Sequence, residues 1–157
     1  MGQEYTEWEI NRFRQRYYEI KYYINQYNSR IDENNRELNN IRKRVNELQK
    51  IRNNLKKTNS KFENYISAKL RKYEVLRNNF SNTKFAKDCS EEMLNFIKGR
   101  ETSMAIQNIE NAIYEVNNKA NRLSYDIEEL TRDNNRLRNK IADLEYEKRL
   151  ILQKGVI

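Results

Sequence analysis

An apolar ladder that never slips phase constrains this chain more than any other feature. Steps alternating between three and four residues connect Ile10, Phe13, Tyr17, Ile20, Ile24, Tyr27, Ile31, Asn34, Leu38, Ile41, Val45, Leu48, Arg52 and Leu55. The same register runs on through Asn59, Phe62, Ile66, Lys69, Tyr73, Leu76 and Phe80. A spacing that averages 3.5 residues keeps one narrow stripe on one side of a helix, which is the pattern of a coiled coil. With Ile24, Ile31, Leu38 and Val45 at position a, the d positions are Tyr27, Asn34, Ile41 and Leu48. A second ladder joins Ile106, Ile109, Ile113, Val116, Ala120, Leu123, Ile127 and Leu130. It continues through Asn134, Leu137, Ile141, Leu144, Lys148 and Ile151.

The composition agrees with rods. The 157 residues include no Pro and three Gly, so helices have few enforced stops. Hydrophobic residues make up 37%, which is lean for a thick core but sufficient for a seam. The expected fold is all-α: a long antiparallel two-helix coiled-coil hairpin forming one domain over residues 1–157. Its arms are residues 3–80 and 91–154, its turn is residues 81–90, and Gly99 offers a kink. A continuous first arm would extend about 110 Å at 1.5 Å per residue.

In an antiparallel pair, a faces d and the numbers of facing residues sum to a constant. A sum of 168 sets Leu38 against Leu130, Ile24 against Leu144, and Asn34 against Asn134, with the bend at residue 84. Asn34 and Asn134 are therefore the candidate register-fixing residues, since one buried Asn pair penalises every slipped alignment. A sum shifted by a heptad, or pairing between two chains, uses the same ladders. NNRELNNI at 34–41 and NNRLRNKI at 134–141 share NNRxxNxI, which fits a duplication or a chance match of Asn-rich heptads.

Chemistry is sparse. There is no His, which removes the usual general base and the commonest neutral metal ligand. Cys89 stands alone, so neither an intramolecular disulfide nor a Cys-based zinc site can form. No enzymatic activity, catalytic residue, metal or cofactor is expected. No apolar run reaches the roughly 20 residues of a bilayer span, and the N-terminus has no Sec-type apolar core. Met1-Gly2 opens MGQEYT, a weak match to the myristoylation rule, and Asn79-Phe80-Ser81 is a formal glycosylation sequon.

The formal charge of +8 lies on the first arm. Residues 1–80 hold 18 Lys/Arg against 10 Asp/Glu, and residues 81–157 hold 13 of each. Twelve basic residues fall between Arg42 and Arg77, opposed by Glu47, Glu63 and Glu74. A solvated coiled coil carries such charges on its outer positions anyway, and the aromatic residues cluster elsewhere. A basic rod that tracks nucleic acid is thus one alternative, and a homo-oligomeric spacer is another.

Two places suit a protein partner. The start of the first arm holds Tyr5, Trp8, Phe13, Tyr17, Tyr18, Tyr22, Tyr23 and Tyr27, more aromatics than a two-helix seam can absorb. They either thicken the arm's packing edge or form a contact face, with Tyr5, Trp8, Phe13, Tyr18 and Tyr22 as the candidates. The segment SNTKFAKDCSEEMLNFIKG (81–99) breaks the ladder. Ser81, Asn82 and Thr83 are cap residues, and Asp88 or Ser90 is a candidate cap for the helix after them. Phe80, Phe85, Met93, Leu94, Phe96 and Ile97 then either close a small core at the bend or present a docking knob, for which Phe85, Phe96 and Ile97 are the candidates. The polar ladder residues from Arg52 to Lys69 predict looser pairing there.

From about Lys61 onward, the long helix, the break at Ser81–Lys84, FAKDCSEEMLNFIKG and then ENAIYEVNNKANRLSYDIEEL resemble the YwqH-like family. These are small WXG-like helical proteins of Gram-positive bacteria that accompany LXG toxins of type VII secretion. The resemblance implies a helical hairpin that binds the helices of an LXG domain and helps direct the toxin to its secretion machine. The protein would then be cytoplasmic before export. The tip lacks Trp-x-Gly, with Phe85 as the nearest aromatic, and the Y-x-x-x-[DE] signal occurs only as Tyr125 to Glu129, inside the heptads. A partner with long helices, an LXG toxin or a second small helical protein, is therefore expected.

Overall fold

A computed structural model describes residues 5–79 and 83–157. The fold is all-α: α1 (Glu7–Asn79), α2 (Lys84–Ile97) and α3 (Arg100–Gln153), with no strand among the described residues. Every ladder residue named above is buried or half-buried, apart from Phe80, which lies outside the described residues. The contacts gather into two compact units, residues 1–43 with 124–157 and residues 44–123.

The first unit pairs the start of α1 with the end of α3, antiparallel. Ile20, Ile24 and Ile151 form its tightest cluster, packed by Phe13, Tyr17, Ile141 and Leu144. Ile31, Leu38, Ile41 and Leu137 extend the buried seam. Asn34 lies opposite Asn134, and its side-chain amide donates to Asn134 Oδ1 at 2.9 Å and to Asp133 Oδ2 at 3.0 Å. Asn134 in turn donates to Asn35 Oδ1 at 3.0 Å, so each buried amide has a partner in the opposite helix. The alignment at this layer is therefore the one given by a sum of 168.

Ion pairs flank the seam at the g positions. Arg16 grips Glu147 with two bonds, Nε to Oε1 at 2.7 Å and a terminal guanidinium nitrogen to Oε2 at 2.9 Å. Arg30 meets Asp133 at 3.1 Å. The Arg16 bonds hold the Glu147 carboxyl below the usual carboxylate range, outweighing some desolvation.

Both ends of this unit are capped. Thr6 and Glu9 form a reciprocal box: the Thr6 amide donates to Glu9 Oε2 at 2.8 Å, and the Glu9 amide donates to Thr6 Oγ1 at 3.3 Å. α3 ends through Gly155, whose φ of 66° is the left-handed conformation that stops a helix at little cost. Its amide donates to the Leu152 carbonyl at 3.0 Å. The reversal buries Val156, whose carbonyl accepts from Arg14 Nε at 3.2 Å.

The second unit combines the end of α1 with α2 and the start of α3. Here no α1 residue is fully buried among those described; Val45, Leu48, Leu55, Phe62, Ile66 and Leu76 are all half-buried. Arg52 Nε and Asn59 Oδ1 are shielded from solvent without a hydrogen-bond partner. Half-burial extends past the Arg52–Lys69 stretch, from Val45 to Leu76, while the two unpartnered atoms fall within it. Polar groups at core positions lose water and regain only part of their bonds.

The segment after the bend differs from the expectation. Instead of a turn over 81–90, helix resumes at Lys84. Thr83 takes the extended conformation before it, and Asp88 and Ser90 lie inside α2 rather than capping a later helix. Ser90 can do so because its hydroxyl donates to the Ala86 carbonyl at 2.7 Å, satisfying itself one turn back. Buried Ser90, Leu94 and Ile97, with half-buried Ala86, form the inward stripe of α2. Residues 80–82 lie outside the described residues, and with them the start of the expected turn and most of the sequon, as do the first four residues of the myristoylation match MGQEYT.

The break at Gly99 is present. The Lys98 amide donates to Leu94 O at 2.8 Å and the Gly99 amide to Phe96 O at 3.1 Å, which closes α2 tightly. A Cβ on Gly99 would lie 2.9 Å from the Asn95 carbonyl oxygen and 3.0 Å from that of Phe96. Only glycine lets the backbone fold back this closely.

Candidate helix-docking surfaces

The aromatic residues on the first turns of α1 divide by heptad position, and Tyr5 just before it joins the seam side. Phe13 is at d and packs on the core cluster of Ile20, Ile24 and Ile151. Tyr5 lies edge-on against Phe13, with centroids 5.5 Å apart, and Lys154 stands over both rings at 5.2 and 4.9 Å. Tyr5 and Phe13 therefore help close the end of the seam while staying half-buried, and Phe13 also borders the groove of about 760 Å³ that Trp8 lines.

Trp8, Tyr18 and Tyr22 do the opposite. Trp8 and Tyr22 occupy f positions and Tyr18 a b position, on the outer side of α1, and Trp8 also borders a groove of about 760 Å³ whose α3 side is Glu147, Leu150 and Ile151. They are 67%, 64% and 59% exposed. The b and f positions from 8 to 29 are Trp8, Asn11, Gln15, Tyr18, Tyr22, Asn25 and Ser29, all exposed and none charged. Solvent-facing coiled-coil positions ordinarily carry charge. An uncharged stripe that includes three large aromatics is a surface whose water is cheap to remove. Arg12 lies over the Trp8 ring at 5.5 Å.

At the bend, the expected knob is split. Phe85 is 85% exposed and Phe96 is 65% exposed, but Ile97 is 8% exposed. Ile97 follows Ser90 and Leu94 on the inward stripe of α2, so it anchors the helix. With Phe96 and Met93 it lines a groove of about 460 Å³ whose α1 side is Phe62, Tyr65, Ile66, Lys69 and Tyr73. Tyr65 was not singled out by the sequence reading. Its signal was available, since it is a large aromatic at a g position beside a ladder already weakened by Asn59 and Lys69.

Asn34 and Asn134 are buried at the centre of the polar layer described above. No cluster of three or more His, Cys, Asp or Glu is arranged to hold a metal ion among the described residues, and no described helix is long and apolar enough to cross a membrane. Comparison with known proteins returns no match: no family model, no curated protein and no solved structure aligns with this chain.

Proposed function

We propose that the protein is a non-enzymatic interaction module that binds a partner by laying helix against helix. In this reading the partner's helix covers the outer stripe of Trp8, Tyr18 and Tyr22 as a third helix beside the α1–α3 pair. The observation that supports it is that seven consecutive b and f positions are exposed and uncharged. Exposed Trp and Tyr contribute large contact area at small entropic cost, and such residues dominate binding energy where they are found. The resemblance noted in the sequence suggests the helical LXG domain of a type VII secreted toxin as that partner, with the protein acting as its targeting factor.

The test is solution mass, measured with and without a co-expressed LXG-domain protein. A stable complex is expected, and the combined substitution Trp8→Ser, Tyr18→Ser and Tyr22→Ser should weaken it by tenfold or more. A chain that ignores the LXG domain, or one whose complex is indifferent to the triple variant, would sink the reading. Binding to nucleic acid alone at physiological salt, or a homo-oligomer alone, would do so as well.

A further inference from the structure

We infer that the groove between α1 and α2 in the second unit is a seat for an acidic amphipathic helix. The inference rests on the reading that this protein binds helices, but it names a second site and the chemistry of its occupant. The groove brings Phe62, Tyr65, Ile66, Met93 and Phe96 to one concave surface. Tyr65, Met93 and Phe96 are each exposed. Scattered exposed apolar residues are ordinary, whereas a contiguous set lining a concavity marks a contact site. From Phe62 to Tyr73 the α1 wall extends about 16 Å, which matches three turns of a second helix.

The walls differ in charge, and that difference selects the occupant. Within residues 44–79, α1 carries ten Lys/Arg against three Asp/Glu. Of those three, Glu74 is already bonded to Lys98 at 3.4 Å. Residues 83–123, which supply the opposite wall, carry six of each sign, and Glu101 on that wall lines the groove, so the basic edge is the α1 side alone. At the groove, Lys69 stands over the Tyr65 ring at 5.3 Å, and Lys61 and Lys72 lie one and two turns from Tyr65 along the same side. An apolar helix face fills the groove, and carboxylates along its α1-facing edge meet these lysines. A basic helix would meet like charge, and an uncharged one would leave it uncompensated.

Two labelled peptides of about 20 residues test this by fluorescence anisotropy. They share one Leu stripe at i, i+3, i+4 and i+7 and differ only in flanking residues, all Glu in one and all Lys in the other. The acidic peptide should bind at least tenfold more tightly than the basic one, and added salt should narrow the difference. Phe96→Ser and Lys72→Glu should each weaken it several-fold. Phe85→Ser, on an exposed ring outside the groove, should leave it unchanged. Because Phe96 is exposed, its variant should keep the parent's helical circular dichroism. No binding, equal binding of both peptides, a preference for the basic peptide, or indifference to Phe96→Ser would each overturn the proposal. So would a dimer of the chain that Phe96→Ser dissolves, since a second copy would then fill the groove. The Trp8/Tyr18/Tyr22 variant lies in the other unit and should bind the acidic peptide normally, so failure at the stripe and failure at the groove read out separately.

Discussion

Replacing the Asn34–Asn134 layer by leucine should affect stability in a strongly non-additive way. In the single variant Asn134→Leu, the Asn34 amide loses its acceptor at Asn134 Oδ1 and keeps only Asp133. Asn34 is 9% exposed, so the carbonyl and remaining donor have little water to turn to. A buried group left without its partner costs about 1–3 kcal/mol. In the double variant Asn34→Leu/Asn134→Leu, both buried amides are gone. The partners left behind are Asp133, which retains Arg30, and half-exposed Asn35, which water can reach. Two leucines at facing d and a positions add apolar burial where Leu38 and Leu137 already lie. The double variant should therefore come within about 1 kcal/mol of the parent or exceed it, a coupling of the size seen between directly bonded residues. Urea denaturation followed by circular dichroism measures this. The gain should come with a loss of alignment. In a Cys89→Ser background, cysteines at 16 and 147 joined by a short bis-maleimide should link efficiently in the parent and less so in the double variant, because a one-heptad slip displaces them by about 10 Å. If the double variant is destabilised by the sum of the two single effects, the layer is not a coupled pair and the register argument fails.

Gly99→Ala should lower stability by about 1–3 kcal/mol, because the added carbon meets the Asn95 and Phe96 carbonyls and not a yielding side chain. A higher urea midpoint with greater helicity would mean instead that α2 and α3 fuse into one helix. Thr6→Ala removes half of the capping box with Glu9 and should speed amide exchange in the first turn of α1 about fivefold, with little change in the global midpoint. Unchanged exchange would show that the box contributes nothing. Glu147→Gln should cost about 0.5–1 kcal/mol near neutral pH, discounted for a pair that is about 40% exposed on each side. The folded carboxyl titrates below its unfolded value, so its contribution is complete above about pH 4.3 and disappears as pH falls through the lower folded value. Parent and variant should thus converge in acid, and a gap that widens there would contradict the ion pair.

The ladders were legible because a two-helix seam leaves a strict periodic record. Each of its positions faces the opposite helix, and every one of those described is at least half-buried. The polar ladder residues carried information of two kinds that the period alone does not separate. Asn34 and Asn134 fall opposite each other, and their bonds close across the seam. Arg52 and Asn59 have buried atoms that find no partner. Whether a polar core residue fixes an alignment or loosens one depends on what faces it, and that is a property of two segments far apart in the chain. The same limit explains the misplaced turn. Asp88 and Ser90 read as caps by residue type, yet Ser90 satisfies its own hydroxyl inside α2, and the apolar period of Ala86, Ser90, Leu94 and Ile97 prevails over local preference. It also explains why Tyr5 and Phe13 close the seam end while Trp8, Tyr18 and Tyr22 stay outside, although all five belong to one aromatic segment. Heptad position separates the four on α1, d for Phe13 against b and f for the exposed three, while Tyr5 precedes the helix and packs on Phe13. Along this helix, position in the heptad decides which aromatics are spent on folding and which remain free to bind.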